Sequence, residues 1–161
     1  MSKEPVTLVC DSDKNILLRS VELRDLSCLR NWKNDNRENF FHKETISNTQ
    51  QEKWFEDYQD RESDYIFIVE VASKAVGCMG IRRLVDEWDV YNVILGLSDY
   101  RRMGIMTRGL RLMLEFAKSE MNLPISLNVL RGNLAINWYM KNKFFITAQN
   151  EDYFHMKYNT P

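Results

Sequence analysis

The spacing of apolar positions changes along this chain from alternation to helical recurrence and back, and each change marks an element. Residues 16–21 read as a strand, and Leu26, Leu29 and Trp32 then fall near one face of a helix over 23–32. The polar stretch 34–44 interrupts the pattern. Ser47 followed by Gln50 is a capping-box signature, and Trp54, Phe55 and Tyr58 recur at helical spacing behind it, so a second helix is predicted to end before Asp64. Residues 65–71 and 75–83 are β-rich runs joined at Ser73-Lys74, a predicted hairpin, and 88–97 is a further strand.

Beyond that strand, Met106, Leu110, Met113, Leu114 and Ala117 form an apolar helical stripe that Pro124 brings to an end. Its methionines read as core filling. Residues 125–130 are a strand, 132–142 a helix, and 144–149 with 153–158 a hairpin around Asn150-Glu151. The order βααβββαβαββ describes a mixed α/β protein. No internal repeat interrupts it, and residues 1–161 read as a single domain, with 1–15 a polar tail or an extra strand.

At 44% hydrophobic residues, the 161-residue chain has enough apolar material for a substantial core. A net charge of −1 argues against a general nucleic-acid binder, whose affinity comes mainly from neutralising phosphates. Cys10, Cys28 and Cys78 have no paired spacing, and His42 and His155 lie far apart, so neither a disulfide framework nor a metal site is expected. The first fifteen residues lack a secretory apolar core and no run reaches membrane-spanning length, which sets the expectation of a cytoplasmic protein with no membrane partner.

Candidate chemistry begins at Tyr100-Arg101-Arg102-Met103-Gly104-Ile105-Met106-Thr107, where a strand gives way to the long stripe helix. Unpaired N–H groups at such a helix start, reinforced by the helix dipole, hold a phosphate without a dedicated side chain. A solvated basic helix start gives the same pattern. A second constellation lies downstream, over 127–144: a strand, a polar turn with Asn133, then a short segment carrying Asn137, Trp138 and Tyr139.

Together these motifs resemble the GCN5-related N-acetyltransferase superfamily, over about residues 16–158. Arg101 and Gly104 meet the family's R-x-x-G-x-G/A loop, and Met106 with Thr107 gives the Gly-x-Met-Thr form found in the branch related to ribosomal-protein N-terminal acetyltransferases. The segment after Asn133 is one residue shorter than usual, and Lys143 stands where a glycine usually precedes the aromatic matched by Phe144.

The resemblance implies a central, mostly antiparallel, twisted sheet with two splayed strands and flanking helices. It also implies acetyl-CoA as cosubstrate, with no metal. The loop from Arg101 through Arg102, Met103, Gly104, Ile105 and Met106 to Thr107 would hold the CoA pyrophosphate, main-chain groups at Leu95 and Leu97 would pair with pantetheine, and Asn133 and Asn137 would contact CoA. Tyr139 matches the general acid of many members. A free phenol at about 10 stays protonated at neutral pH and can serve a departing thiol of about 8.5. Packing beside Trp138 and Ile136 is the other reading for Tyr139, as a helix-start turn is for Asn133.

The accepting amine must be neutral to attack. Candidate bases are Asp89, Glu87 and Glu70, with His42 a further titratable group in the polar stretch where this family builds its acceptor site. Asn34, Arg37, His42, Trp88 and Tyr91 are the candidate substrate contacts. The rings and amides there suit a small-molecule acceptor, and Trp32-Lys33-Asn34 with Trp54-Phe55 resembles bacterial enzymes that acetylate a nucleotide-linked amino sugar. Protein N-termini and polyamines are the alternatives; Glu56, Asp57, Asp60, Glu62 and Asp64 would attract a cationic polyamine, but the run reads first as a soluble helix face. A non-catalytic acyl-CoA-binding module is an alternative of a different class. Exposed strand edges leave room for a homodimer.

Overall fold

A computed structural model describes residues 3–160. Its strands are β1 (Thr7–Val9), β2 (Ile16–Ser20), β3 (Asp64–Val71), β4 (Lys74–Arg83), β5 (Trp88–Leu95), β6 (Ile125–Leu130), β7 (Phe144–Gln149) and β8 (Tyr153–Tyr158). They form one sheet in the order β1-β2-β3-β4-β5-β6-β8-β7. Four helices flank it: α1 (Leu26–Asp35), α2 (Asn48–Gln59), α3 (Ile105–Glu120) and α4 (Ile136–Lys141). The mixed α/β architecture with a mostly antiparallel sheet is the one expected.

Helices cover both faces, so the central strand β3 is apolar without alternation from Ile66 to Val69, all four residues being buried. Phe67 and Val69 join Leu110, Met113, Leu114 and Ala117 of α3 in the larger core, while Ile66 and Ile68 meet Leu29 and Trp32 of α1 and Tyr58 of α2 on the opposite face. The stripe at 106–117 is therefore the buried face of α3, and its methionines pack there.

Several boundaries move for local reasons. A short strand, β1, pairs with β2 within the polar first fifteen residues. The helix predicted over 23–32 opens as a single 3-10 turn, because the Asp25 carboxylate accepts the Glu22 N–H at 2.7 Å, and α1 then runs on to Asp35. The Ser47–Gln50 capping box forms as expected and starts α2. The strand predicted to 97 ends at Leu95, since the N–H groups of Gly96 and Leu97 both turn to the Val76 carbonyl. The helix predicted from 132 begins at Ile136, because the Asn133 side chain accepts the Ala135 N–H at 2.9 Å and holds a turn there.

Three features of this frame set up the site. β5 and β6 are parallel, and their pairing stops after Trp88–Ile125 and Asp89–Ser126, so the two strands diverge over the rest of their length. β5 carries an irregularity opposite Cys78–Gly80, with Asn92 at φ 52. At Gly96 the chain passes under Trp32, so closely that an added Cβ would lie 2.1 Å from the indole.

Candidate active site

The divergence of β5 from β6 opens a cleft of about 640 Å³. One end is walled by Leu95 of β5, Asn128 and Val129 of β6, and Asn133, Ala135 and Tyr139 at the start of α4. Asp89 and Tyr91 of β5, Arg82 of β4, Lys33 and Asn36 near the end of α1, and Phe40 with His42 of the following loop wall the other.

Tyr139 is 7% exposed and lies between the rings of Trp138 and Phe144 at 5.1 and 5.8 Å. Burial alone pushes its phenol pKa up, so the hydroxyl keeps its proton across the neutral range. The neighbouring Trp138 indole donates to the Thr107 hydroxyl at 3.1 Å, which ties α4 to the first turn of α3.

That first turn follows the loop singled out in the sequence. Gly104 adopts φ 73 as the N-cap of α3, Arg102 has φ 62, and no side chain caps the helix. Residues 101–104 are exposed. The leading N–H groups of a helix have no internal partners, and the helix dipole adds partial positive charge at this end. Arg101 and Arg108 turn back on the loop, donating to the carbonyls of Ser98 at 3.2 Å and Met103 at 3.3 Å. Ile105 is buried beneath the loop and Met106 and Thr107 are half-buried, so the open face consists of main chain, arginine and the exposed Met103 side chain. Such a cradle fits a phosphate group.

Asp89 is paired with Arg82, whose Nε donates to it at 2.9 Å. Its carboxyl is held above the ordinary range because burial outweighs the opposing pull of Arg82. The Arg82 guanidinium also lies 4.2 Å over the Tyr91 ring, and the Tyr91 hydroxyl donates to the buried carboxylate of Asp64, which Arg61 approaches at 3.3 Å. An alternating series of acids, cations and a phenol thus runs from the cleft into the sheet. Burial, followed by the Asp64 charge, pushes the Tyr91 phenol upward.

Some sequence expectations are corrected. Trp88 is 1% exposed, packs in the larger core and donates its indole N–H to the Met121 carbonyl at 2.9 Å, so it does not reach the cleft. Alternation along a strand requires this, since residues three apart point to opposite faces and Tyr91 takes the cleft side. Leu97 cannot offer free main-chain groups, because its N–H goes to Val76 and its carbonyl accepts the Tyr100 N–H. The Asn34 side chain is occupied in both directions by the Ile46 backbone, at 2.7 and 3.1 Å. Glu70 is bound to Arg19, while Glu87, Arg37 and Asn137 are absent from the cleft walls. Asn133 reaches the wall with its carbonyl oxygen committed to the turn.

Sequence reasoning quoted Lys33 and Trp138 within motifs without giving either a role at the cleft, and it did not single out Arg82 or Asn92. Strand register announces only Arg82, which sits directly across from Asp89. The bulge at Asn92 and the bond from Trp138 to Thr107 have no local signature.

Splayed parallel strands, an uncapped, glycine-led helix start and a buried phenol on the cleft wall are thus the features that the fold brings together here. A family model described as an acetyltransferase (GNAT) domain matches residues 15–142, and the chain belongs to that family of N-acetyltransferases. Among solved structures, apo FdhC, described as a nucleotide-linked sugar GNAT, aligns at TM-score 0.77 and 15% identity, over 95% of this chain and 89% of that one. Spermidine N-acetyltransferase from Vibrio cholerae, in complex with CoA and spermine, aligns at 0.77 and 19% identity, over 90% and 95%. RimL, a ribosomal L7/L12 alpha-N-protein acetyltransferase, aligns at 0.71 and 11% identity, over 94% and 92%. At these identities the likeness is one of fold. No curated protein matches the chain in sequence.

Proposed function

We propose that this N-acetyltransferase uses acetyl-CoA to acetylate the amino group of a nucleotide-linked amino sugar, by direct attack of the amine. The observation that carries the acceptor reading is the make-up of the cleft beyond Asp89. Phe40, Trp54 and Tyr91 present flat rings and Asn36 and Asn39 present amides, while Lys33, Arg61 and Arg82 face the cleft against Asp89 as the only carboxylate among the described lining residues. Rings and amides suit a base or a sugar, and an excess of cations suits a carrier bearing phosphate.

A polyamine needs the opposite balance. Glu56, Asp57 and Glu62 are exposed and do not line the cleft, and Asp64 is already engaged by Tyr91 and Arg61. The three structural neighbours named above act on a sugar nucleotide, a polyamine and a protein N-terminus, so the choice among acceptors rests on the cleft itself.

Acetyl-CoA supplies the activated acetyl group as a thioester. In this reading the main-chain donors of residues 101–107 hold its pyrophosphate, and the free edge of β5 at Leu95 faces the pantetheine arm. Asp89 accepts the proton released by the amine, directly or through water, and its raised pKa suits that task. Tyr139 Oη holds the proton required where the thiol departs. The closed environment of Trp138 and Phe144 keeps that proton in place.

Free-thiol release from acetyl-CoA, measured against UDP- and dTDP-linked amino sugars, spermidine and peptides with free N-termini, tests the proposal. Turnover is expected with a sugar nucleotide. Turnover confined to spermidine or to a peptide overturns the acceptor reading, and acetyl-CoA binding without turnover on any amine favours a non-catalytic acyl-CoA-binding module.

A further inference from the structure

We propose that Lys33 is the specificity-determining contact for the acceptor's phosphate, so that the enzyme selects an amine carried on a phosphorylated molecule. The inference rests on reading this end of the cleft as the acceptor site.

Three cations line the cleft, and two of them are already neutralised. Arg82 is held by Asp89 and Arg61 by Asp64. Lys33 differs. Its Nζ donates to the Asn92 side-chain oxygen at 2.9 Å and lies 5.2 Å over the Phe40 ring, and neither partner carries a charge. No carboxylate among the described residues forms an ion pair with it. The nearby titratable groups are Cys78, Arg82 and His42: the Cys78 thiol is pushed up to about 12 by burial and stays neutral, Arg82 repels, and His42 shares both cavities with Lys33. Burial lowers the Lys33 pKa, and an arriving anion would reverse that cost.

The position of Lys33 is built rather than incidental. Trp32 is wedged over Gly96, Asn34 grips the Ile46 backbone, and the Asn36 amide donates to the Trp32 carbonyl at 2.8 Å, so the residues around Lys33 are all fixed. The Asn92 bulge brings its side chain to meet the ammonium from the opposite wall. Lys33 also borders an adjoining cavity of about 240 Å³, walled by Leu29, Ile46, Trp54 and Ile94. An ammonium with two neutral partners and a free approach from the cleft suits a phosphate oxygen, which a lysine recognises as a point charge.

The test is calorimetric binding of UDP and dTDP, each beside its nucleoside, to protein saturated with CoA, so that the cradle at 101–107 is filled. At least one diphosphate is expected to bind, about 10–100-fold more weakly to Lys33→Met, with Lys33→Arg recovering part of the loss and nucleoside binding unchanged. Retained CoA affinity in each variant shows that the fold is intact. Failure of both diphosphates to bind the unaltered protein, or equal affinity in Lys33→Met, overturns the role of Lys33. The acceptor reading is judged separately by thiol release: turnover of a sugar nucleotide with KM unchanged in Lys33→Met removes this inference and leaves that reading standing.

Discussion

In the roles proposed for them, Tyr139 and Asp89 illustrate how burial suits two groups sharing one cleft to opposite tasks. Desolvation raises both pKa values, which keeps the phenol a proton donor and brings the carboxylate closer to neutrality as an acceptor. Tyr139→Phe keeps the packing against Trp138 and Phe144 and removes only the hydroxyl. In steady-state kinetics kcat is expected to fall about 10²–10⁴-fold with acetyl-CoA affinity little changed, and an unaltered kcat would reduce Tyr139 to a packing residue. Arg82 opposes burial at Asp89 and holds its pKa down, so Arg82→Gln should raise it further. If Asp89 must be ionised to accept the proton, the acid limb of the kcat–pH profile should move to higher pH in that variant. An acid limb that stays where it was would show that the group titrating there is not Asp89.

The helix start at Gly104 depends on main chain alone. With φ 73 and no side-chain cap, it leaves its leading N–H groups open, and a Cβ at Gly104 would come no closer than 3.5 Å to Arg108. Space does not demand glycine here; the left-handed backbone does. Gly104→Asp adds both strain and a negative charge that competes for the same donors, so calorimetry is expected to show CoA binding abolished. Binding of undiminished strength would place the pyrophosphate elsewhere. This loop was legible in the sequence because glycine, two arginines and an apolar stripe lie within a few residues of one another. The same holds for the capping box at Ser47 and the terminal hairpin, whose signals are local. Lys143, at φ 71, shows why a glycine is usual there: it follows α4 in the left-handed conformation that favours glycine. What stayed hidden depends on pairing across distance. The end of β5 is decided by Val76, the start of α4 by an Asn133 turn, and one wall of the cleft by a bulge that brings Asn92 to Lys33. Trp88 is an intermediate case, since its inward face follows from alternation with Tyr91 once the strand is recognised.

At the scale of the whole molecule, the first half of the chain has to hold α1 rigidly if Lys33 and Asn36 are to stand at the cleft. Packing of Leu29 and Trp32 does this at one level, and an ion cluster does it at another. Arg19 of β2 makes a two-pronged contact with Asp25, at 2.8 Å to each oxygen, and also binds Glu70 of β3. Asp25 in turn caps the 3-10 turn that leads into α1. The three side chains are only 12%, 5% and 12% exposed, so this is a cluster largely removed from water. A buried pair of this type adds little over an apolar replacement, but removing one partner strands the others. Arg19→Met strands the Asp25 and Glu70 carboxylates without the cation that holds both, and is expected to cost about 3–5 kcal/mol of unfolding free energy in denaturant titration. Adding Glu70→Leu to that variant removes one stranded charge and should recover part of the loss, giving a coupling between the two positions that their separate effects do not sum to. A loss below about 1 kcal/mol for Arg19→Met, within the range of exposed pairs, would mean that the cluster is solvated and that apolar packing alone holds α1 in place.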